Sequence, residues 1–429
     1  MNFIEELRWR GMLHDMTPGV EELLTQKKVV GYIGFDPTAP SLTIGNFVQI
    51  QLLKLFQMHG HKPIVLLGGA TGRIGDPSFK EKERELKSED ELDKNLSFQL
   101  TQFRKLLDFE GENGVEVVNN FDFYSDMNIL DFLRNVGKTL TVSYMMSKDS
   151  VKNRLETGLS FTEFSYQLLQ AYDFQVLYDK YECVLQMGGS DQWGNITSGT
   201  EFIRRNCDGK AYAITTPLLT KSDGKKFGKS EEGNVWLDPN LTSPYKFYQF
   251  WLNVDDADLY KFLKYFTLKT EEEVKIISEN YAENPNEVKK ILAEELTVRV
   301  HGHDSLKSVK NVTELLFGQN ENKDYVRKLS WEDFSLIEKE IPSFTLSEVE
   351  SESPLIEILV EITKIFNSKS EARRALQNKA LNLNKTKLLE IDNKIDTSVW
   401  ALGQYIILEN GKKNKYLFKK QEKFLKNLL

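Results

Sequence analysis

Apolar residues run along this chain in two alternating patterns. Short runs at 29–35, 64–67, 115–118 and 183–187, apolar but for Glu116 and Gln186, read as strands of a buried sheet. Between them, apolar residues recur at helical spacing: over 43–56 (Ile44, Phe47, Ile50, Leu53), 96–107, 129–136, 161–178 and from 196 onward. Strands alternating with helices predict an α/β fold, a doubly wound parallel sheet covered on both faces. Such a sheet binds ligands at the carboxyl ends of its strands. From 243 to about 318 the pattern turns purely helical, at 245–252, 257–266, 271–281 and 285–301. A polar, acidic stretch follows, and then a tail with one helix at 355–366, a second that Ser370 can cap, and short strands near 381–383 and 405–408. The expected organisation is a Rossmann-like domain over 1–242, a helical domain over 243–320, a linker with short elements over 321–353, and a small α+β domain over 354–429.

The strand ends hold the chemistry. In GYIGFDPTAPSLTIGN (31–46) an apolar strand is broken by Asp36-Pro37-Thr38, and a helix begins near Thr43. Backbone N–H groups and the positive end of a helix dipole favour phosphate there, and Gly45 has no Cβ to hold a ligand off. A second strand ends in GGATGRIGDP (68–77), which contains Asp76. The strand from Cys183 ends in GGSDQWGN (188–195), where Ser190 or Asp191 can cap a helix and an acid is poised for ribose hydroxyls. On the helix over 161–178, Tyr166, Gln170 and Asp173 share one face amid apolar neighbours, which suits a pocket reading amines and hydroxyls or a buried polar network. The segment 221–230 (KSDGKKFGKS) has four lysines and no apolar period, so it reads as a cationic loop.

Charge sharpens the division. The net charge of −8 disfavours nucleic-acid binding over the whole surface, but residues 354–429 hold 15 Lys+Arg against 8 Asp+Glu, a balance of +7, which leaves −15 on the rest. A basic tail on an acidic body fits one local polyanion contact or a solvated Lys-rich face. Two cysteines suit a reducing cytosol and exclude a disulfide scaffold, and five histidines form no recognisable ligand cluster, so no metal site is expected. The N-terminus lacks an apolar signal core, and no run of about 18 apolar residues exists, so a cytoplasmic protein with no membrane contact is expected.

Taken together, these motifs resemble the class I aminoacyl-tRNA synthetases, and within them the bacterial-type tyrosyl enzymes, over nearly the whole chain. Thr43-Ile44-Gly45-Asn46 sits at the HIGH signature, and Lys226-Phe227-Gly228-Lys229-Ser230 matches KMSKS within a loop spanning 221–232. GFDPT, GDPS, the Tyr166/Gln170/Asp173 helix and GGSDQWGN are also similar to that family, and the tail resembles an S4-like RNA-binding domain. The resemblance implies tyrosine activation by ATP, accompanied by Mg2+ and without a prosthetic group, followed by transfer to the 3′ end of tRNA(Tyr), with the helical domain reading the anticodon. It implies that Thr38 and Thr43 contact the γ-phosphate, that Lys226 and Lys229 clamp pyrophosphate, and that Lys80 and Arg84 add to the clamp. Gly45 and Asn46 would hold the adenosine, and Gly189 and Asp191 the ribose of the adenylate. For tyrosine, Asp76, Tyr166 and Gln170 would bind the ammonium, Tyr32 and Asp173 the phenol, and Gln186 and Gln192 would line the same pocket. Arg373, Arg374, Lys412 and Lys413 would meet the tRNA, and the protein would be a homodimer with interface residues near Ile129 and Met145-Met146.

The chain departs from the family pattern in places. Thr43 replaces the first His of HIGH and Asn46 the last; Ile33 stands where a side chain can reach the ribose; Gln377-Asn378-Lys379-Ala380 replaces a glycine-containing turn. Two other readings share the motifs: an adenylate-forming nucleotidyltransferase without tRNA, and a non-catalytic RNA-binding paralogue. The tail and the Lys226/Lys229 loop, respectively, speak against them.

Overall fold

The computed structural model describes residues 1–78, 87–155, 158–224, 227–230, 233–318, 324–411 and 414–421. The chain forms two compact units, one of residues 1–242 with 249–300, the other of 243–248 with 301–429.

The first unit is built on six strands: β1 (Asp15–Met16), β2 (Val30–Phe35), β3 (Lys62–Leu67), β4 (Glu116–Asn119), β5 (Cys183–Gly189) and β6 (Tyr212–Thr216). Their order is β1-β6-β5-β2-β3-β4, and only the edge pair β1–β6 is antiparallel. From β2 the chain winds outward to β3 and β4, then returns to the other side of β2 for β5 and β6. The winding reverses between β2 and β5, which opens a crevice at their carboxyl ends. Tyr32, Ile64, Leu66 and Phe174 pack in one core layer, and the helix Ile44–Met58 buries Phe47, Ile50, Leu53 and Phe56. These continuous apolar strands are what a sheet covered on both faces requires.

Two helix starts border the crevice, and a third helix lines it along its middle turns. Thr43 caps Ile44–Met58, Ser160 caps Phe161–Tyr181, and a 3-10 turn at Ser190–Gln192 leads into Trp193–Cys207. Neither Ser190 nor Asp191 caps that last helix; the cap position falls on Gln192, which makes no side-chain cap bond. Pairing of β5 with β6 persists to Gly189, so the turn begins later than the glycines suggest.

The stretch 243–320, expected as a helical domain of its own, is shared between the two units. Its middle helices join the first through side chains that sequence periodicity cannot locate. Phe227 of the lysine loop lies among Trp251, Phe262 and Phe266, with ring centroids 4.8 to 5.9 Å away. The buried Arg10 guanidinium also donates to the carbonyls of Thr267 and Lys269 at 3.0 and 2.8 Å.

The second unit carries a five-stranded sheet in the order Thr386–Lys387, Leu381–Leu383, Tyr405–Asn410, Asn414–Lys420, Ser343–Leu346. The last strand pairs parallel to its neighbour and buries Leu346, so part of 321–353 is sheet rather than linker. Ser368, not Ser370, caps Lys369–Gln377, and the stretch expected as one helix over 355–366 is a short α-turn continued by a π-turn. Lys379 adopts the left-handed conformation (φ 54°) within the stretch that replaces a glycine-containing turn, at a backbone cost.

Candidate active site

A cleft of about 600 Å³ opens at the carboxyl ends of β2 and β5. Among the described residues it is lined by Tyr32, Thr38, Thr43, Gly45 and Asn46 from the first motif, Asp76 from the second and Gly189, Asp191 and Gln192 from the third. Tyr166, Gln170 and Asp173 on the long helix and Gln186 on β5 also line it. Lys80, Arg84, Lys226, Lys412 and Lys413 lie outside the described residues. Lys229 lies in a short strand with Ser230, paired to Gly233–Asn234.

At its deep end the cleft is a hydrogen-bonded lattice. Asp173 is 1% exposed, and its two carboxylate oxygens accept from Tyr124 Oη at 2.7 Å and Asn120 Nδ2 at 2.9 Å. Burial, partly countered by those two bonds, pushes its carboxyl up to about 7. Tyr32 is equally buried, and its hydroxyl has no partner among the described residues. Burial first, and then the Asp173 charge, hold the Tyr32 phenol well above its ordinary range, so it stays a neutral donor. Gln170 Oε1 and Gln186 Oε1 are buried and also without partners among the described residues. Unsatisfied buried polar atoms lining one cleft mark places where a ligand can complete the bonding.

One layer higher, Tyr166 Oη donates to Asp36 Oδ2 at 2.8 Å and Thr71 Oγ1 donates to Asp36 Oδ1 at 2.7 Å. Gln192 Nε2 donates to Asp76 Oδ2 at 2.7 Å, and Ser78 N to Asp76 Oδ1 at 2.9 Å. Gly68 is required here: a Cβ would sit 2.0 Å from Asp36 Oδ1 and 2.6 Å from Thr71 Oγ1. At Gly45 the reason is different. A Cβ there would meet only Thr43 Oγ1, at 3.4 Å, so the missing carbon opens the cleft rather than relieving internal packing.

At the outer end, Thr43 and Asn46 bond each other. Thr43 N and Oγ1 both donate to Asn46 Oδ1, at 3.0 and 2.9 Å, and Asn46 N donates back to Thr43 Oγ1 at 3.4 Å. Ile44 N donates to the Val235 carbonyl at 3.0 Å. The far leg of the lysine loop thus lies along the start of this helix, and Gly228 (φ 108°) lies against Gly45. Much of the helix N-terminus is therefore engaged within the protein.

Sequence reasoning put Asp36 at a strand's carboxyl end, where ligands bind, without giving it a role, and it missed Thr71, Asn120 and Tyr124. Thr71 sits in the glycine-rich turn 68–77, where it could have been suspected. Asn120 and Tyr124 follow the short strand β4 and carry no motif; only the sheet order brings Asn120 to the cleft wall and Tyr124 to Asp173. In the second unit, Arg373 and Arg374 are exposed, and Arg373 pairs with Asp392 at 2.8 Å.

The fold, a doubly wound sheet with its cleft at the switch point, and the HIGH- and KMSKS-type segments laid against one another define a class I aminoacyl-tRNA synthetase. The family model of class I tRNA synthetases (W and Y) matches residues 24–318, and the chain belongs to that family. Within it the chain groups with the tyrosine–tRNA ligases. It is 48% identical over 425 residues to the tyrosine–tRNA ligase of Amoebophilus asiaticus, covering 97% of this chain and 99% of that one. It is 49% identical over 427 residues to that of Bacteroides fragilis, again covering 97% and 99%. The model of the C-terminal domain of tyrosine–tRNA ligases matches 333–418. Among solved structures, a C-terminally truncated mitochondrial tyrosyl-tRNA synthetase of Aspergillus nidulans superposes with a TM-score of 0.67 at 31% identity, covering 74% of this chain and 94% of that one. The family model for the tail begins at 333, within the stretch read from sequence as linker.

Proposed function

We propose that this cleft carries out the family's two-step reaction, joining tyrosine to ATP and then to tRNA(Tyr), with selectivity set at the deep end and phosphate chemistry at the outer end. The observation that carries this reading is the pair at the floor: Tyr32, a buried hydroxyl with no partner among the described residues, and Asp173, a buried carboxylate with acceptor capacity left. A tyrosine phenol accepts from the first and donates to the second. Phenylalanine leaves both unmet, and that cost is the basis of discrimination.

Asp76, Tyr166 and Gln170 take the ammonium of tyrosine, with Gln192 holding Asp76 in place and Gln186 completing the wall. The substrate carboxylate is already ionised, so no general base is needed. One of its oxygens attacks the α-phosphorus of ATP and the bond to the pyrophosphate oxygen breaks. Catalysis is positioning plus stabilisation of charge on the departing phosphates. Thr38 and Thr43 lie beside those phosphates, Lys226 and Lys229 stabilise pyrophosphate, and Lys80 and Arg84 add positive charge. Gly45 and Asn46 face the adenosine; Gly189 and Asp191 face the ribose. Mg2+ arrives with ATP as part of the substrate. In the second step a ribose hydroxyl at the 3′ end of the tRNA attacks the carbonyl carbon of the adenylate, and AMP leaves. Exposed Arg373 and Arg374, with Lys412 and Lys413, meet the tRNA through its phosphates.

Catalysis falls to residues 1–242, anticodon reading to the helices within 243–320, and tRNA docking to 354–429 together with the strand Ser343–Leu346. Exposed Ile129, Leu130, Leu133, Val142 and Met146 provide an apolar face for a second copy, supporting a homodimer. Among the described residues no helix is long and apolar enough to cross a membrane, and the expected working place is the cytoplasm. Tyrosine-dependent ATP–pyrophosphate exchange tests the whole reading. Exchange with tyrosine and not phenylalanine supports it; no exchange with any amino acid favours the RNA-binding paralogue.

A further inference from the structure

Asp173 has two protein partners, and they differ in freedom. The Asn120 amide is locked in orientation, because its Oδ1 accepts from Ala70 N at 2.7 Å while its Nδ2 donates to Thr71 Oγ1 at 3.0 Å and to Asp173 Oδ2 at 2.9 Å. It can only donate to Asp173. Tyr124 is adjustable. Its hydroxyl lies 2.7 Å from Asp173 Oδ1 and 3.0 Å from the Leu169 carbonyl, yet it has one proton to give. With Asp173 ionised, the proton goes to the carboxylate. With Asp173 protonated at Oδ1, the acid donates to the Tyr124 oxygen and Tyr124 turns its proton to Leu169.

We propose that Tyr124 is a positioning residue for tyrosine recognition, whose single hydroxyl proton favours the ionised, phenol-accepting form of Asp173 by donating to it, with the Leu169 carbonyl as the alternative acceptor. The inference rests on the assignment of Asp173 to the phenol. Tyr124 itself stays protonated throughout, since burial and the neighbouring Asp173 hold its phenol well above the ordinary range. The titratable groups around Asp173 come from every element packed against it: Tyr166 and Tyr172 on its own helix, Tyr32 on β2 with Cys183 beside it on β5, Asp36 after β2, and Tyr124 after β4. The one carboxylate among them, Asp36, disfavours ionisation of Asp173, while the bonds from Tyr124 and Asn120 favour it. Removing one donor therefore shifts the protonation midpoint of Asp173 upward.

The test is Tyr124→Phe in the full chain. The ring's neighbours, Tyr172 at 5.7 Å and Phe132 at 6.5 Å between centroids, are kept. The readout is kcat/KM for tyrosine in pyrophosphate exchange between pH 6 and 8.5, as the ratio of wild type to variant, which cancels the titration of the substrate itself. Losing one hydrogen bond to a charged group raises the midpoint by about one unit, so the ratio is about tenfold at pH 6 and falls below about twofold at pH 8.5. KM for ATP does not change. A ratio that is constant across pH, whatever its size, shows Tyr124 acting on packing alone and overturns the proposal, as does a ratio of one throughout. A thermal melt of the variant checks that the fold persists. If it does not, Asn120→Asp, which removes the other donor and adds a like charge, must give a ratio that rises toward low pH at least as steeply, or the account of Asp173 fails. Wild-type protein with no tyrosine-dependent exchange would instead overturn the functional reading beneath it.

Discussion

The deep and outer ends of the cleft are built on opposite principles. At the deep end and in the layer above it a run of side chains from different elements, Asp36, Thr71, Asn120, Asp173 and Tyr124, is cross-linked by bonds of 2.7 to 3.0 Å. The floor is almost fully buried, with Tyr32 and Asp173 each 1% exposed and the Tyr32 hydroxyl left without a partner among the described residues. At the outer end Thr43 and Asn46 satisfy each other, and the described backbone donors of the helix start are largely used within the protein. Rejecting phenylalanine needs buried groups that cannot relax, so the deep end is preorganised. Holding a polyphosphate needs net positive charge, and on the proposed reading the lysine loop supplies it.

That contrast can be broken most severely at the outer end. Lys226→Ala should lower the rate of pyrophosphate exchange by a few hundredfold, the scale of losing one preorganised charge at a departing group, with KM for tyrosine unchanged. A rise in tyrosine KM instead would mean the ends are not separable. Asp173→Ala should cut kcat/KM for tyrosine by about a hundredfold and abolish selectivity over phenylalanine, leaving KM for ATP alone; intact selectivity would remove Asp173 from phenol recognition.

A gentler probe is pH. The carboxyl of Asp173 is raised to about 7, so its ionised form prevails above that pH and is lost as pH falls through it. Wild-type kcat/KM for tyrosine should drop about tenfold from pH 8 to pH 6, while KM for ATP stays flat. The smallest effect is expected at Thr43. Thr43→Ala removes a helix cap worth about 1 kcal/mol, lowering Tm by about 2 °C, and slows adenylate formation about threefold at unchanged tyrosine affinity. Thr43→Ser keeps the hydroxyl and should restore both. An unchanged rate in the Ala variant would make Thr43 a cap and nothing more.

The outer end was the more legible in sequence, because its parts are contiguous. A strand, a break at Asp36-Pro37 and a helix start at Thr43 are local signals, and the lysine loop is a compositional one. Half of the deep end was legible too, since Tyr166, Gln170 and Asp173 recur at helical spacing on one face. Asn120 and Tyr124 were not, because they meet Asp173 across 53 and 49 residues of chain. The strand Ser343–Leu346 escaped for the same reason, as its partner is the C-terminal strand Asn414–Lys420.

What the sequence determined alone is whatever depends on neighbours along the chain: the parallel α/β architecture, the turns at the strand ends, the polar face of one helix and the family these motifs belong to. Only the tertiary structure decided what depends on the order of strands. By reversing its winding between β2 and β5, the sheet opens the cleft, and by placing β4 on the same side as β2 it brings Tyr124 and Asn120 to Asp173. A buried carboxylate takes its charge and orientation from the donors around it, and those donors come from parts of the chain that no local pattern links.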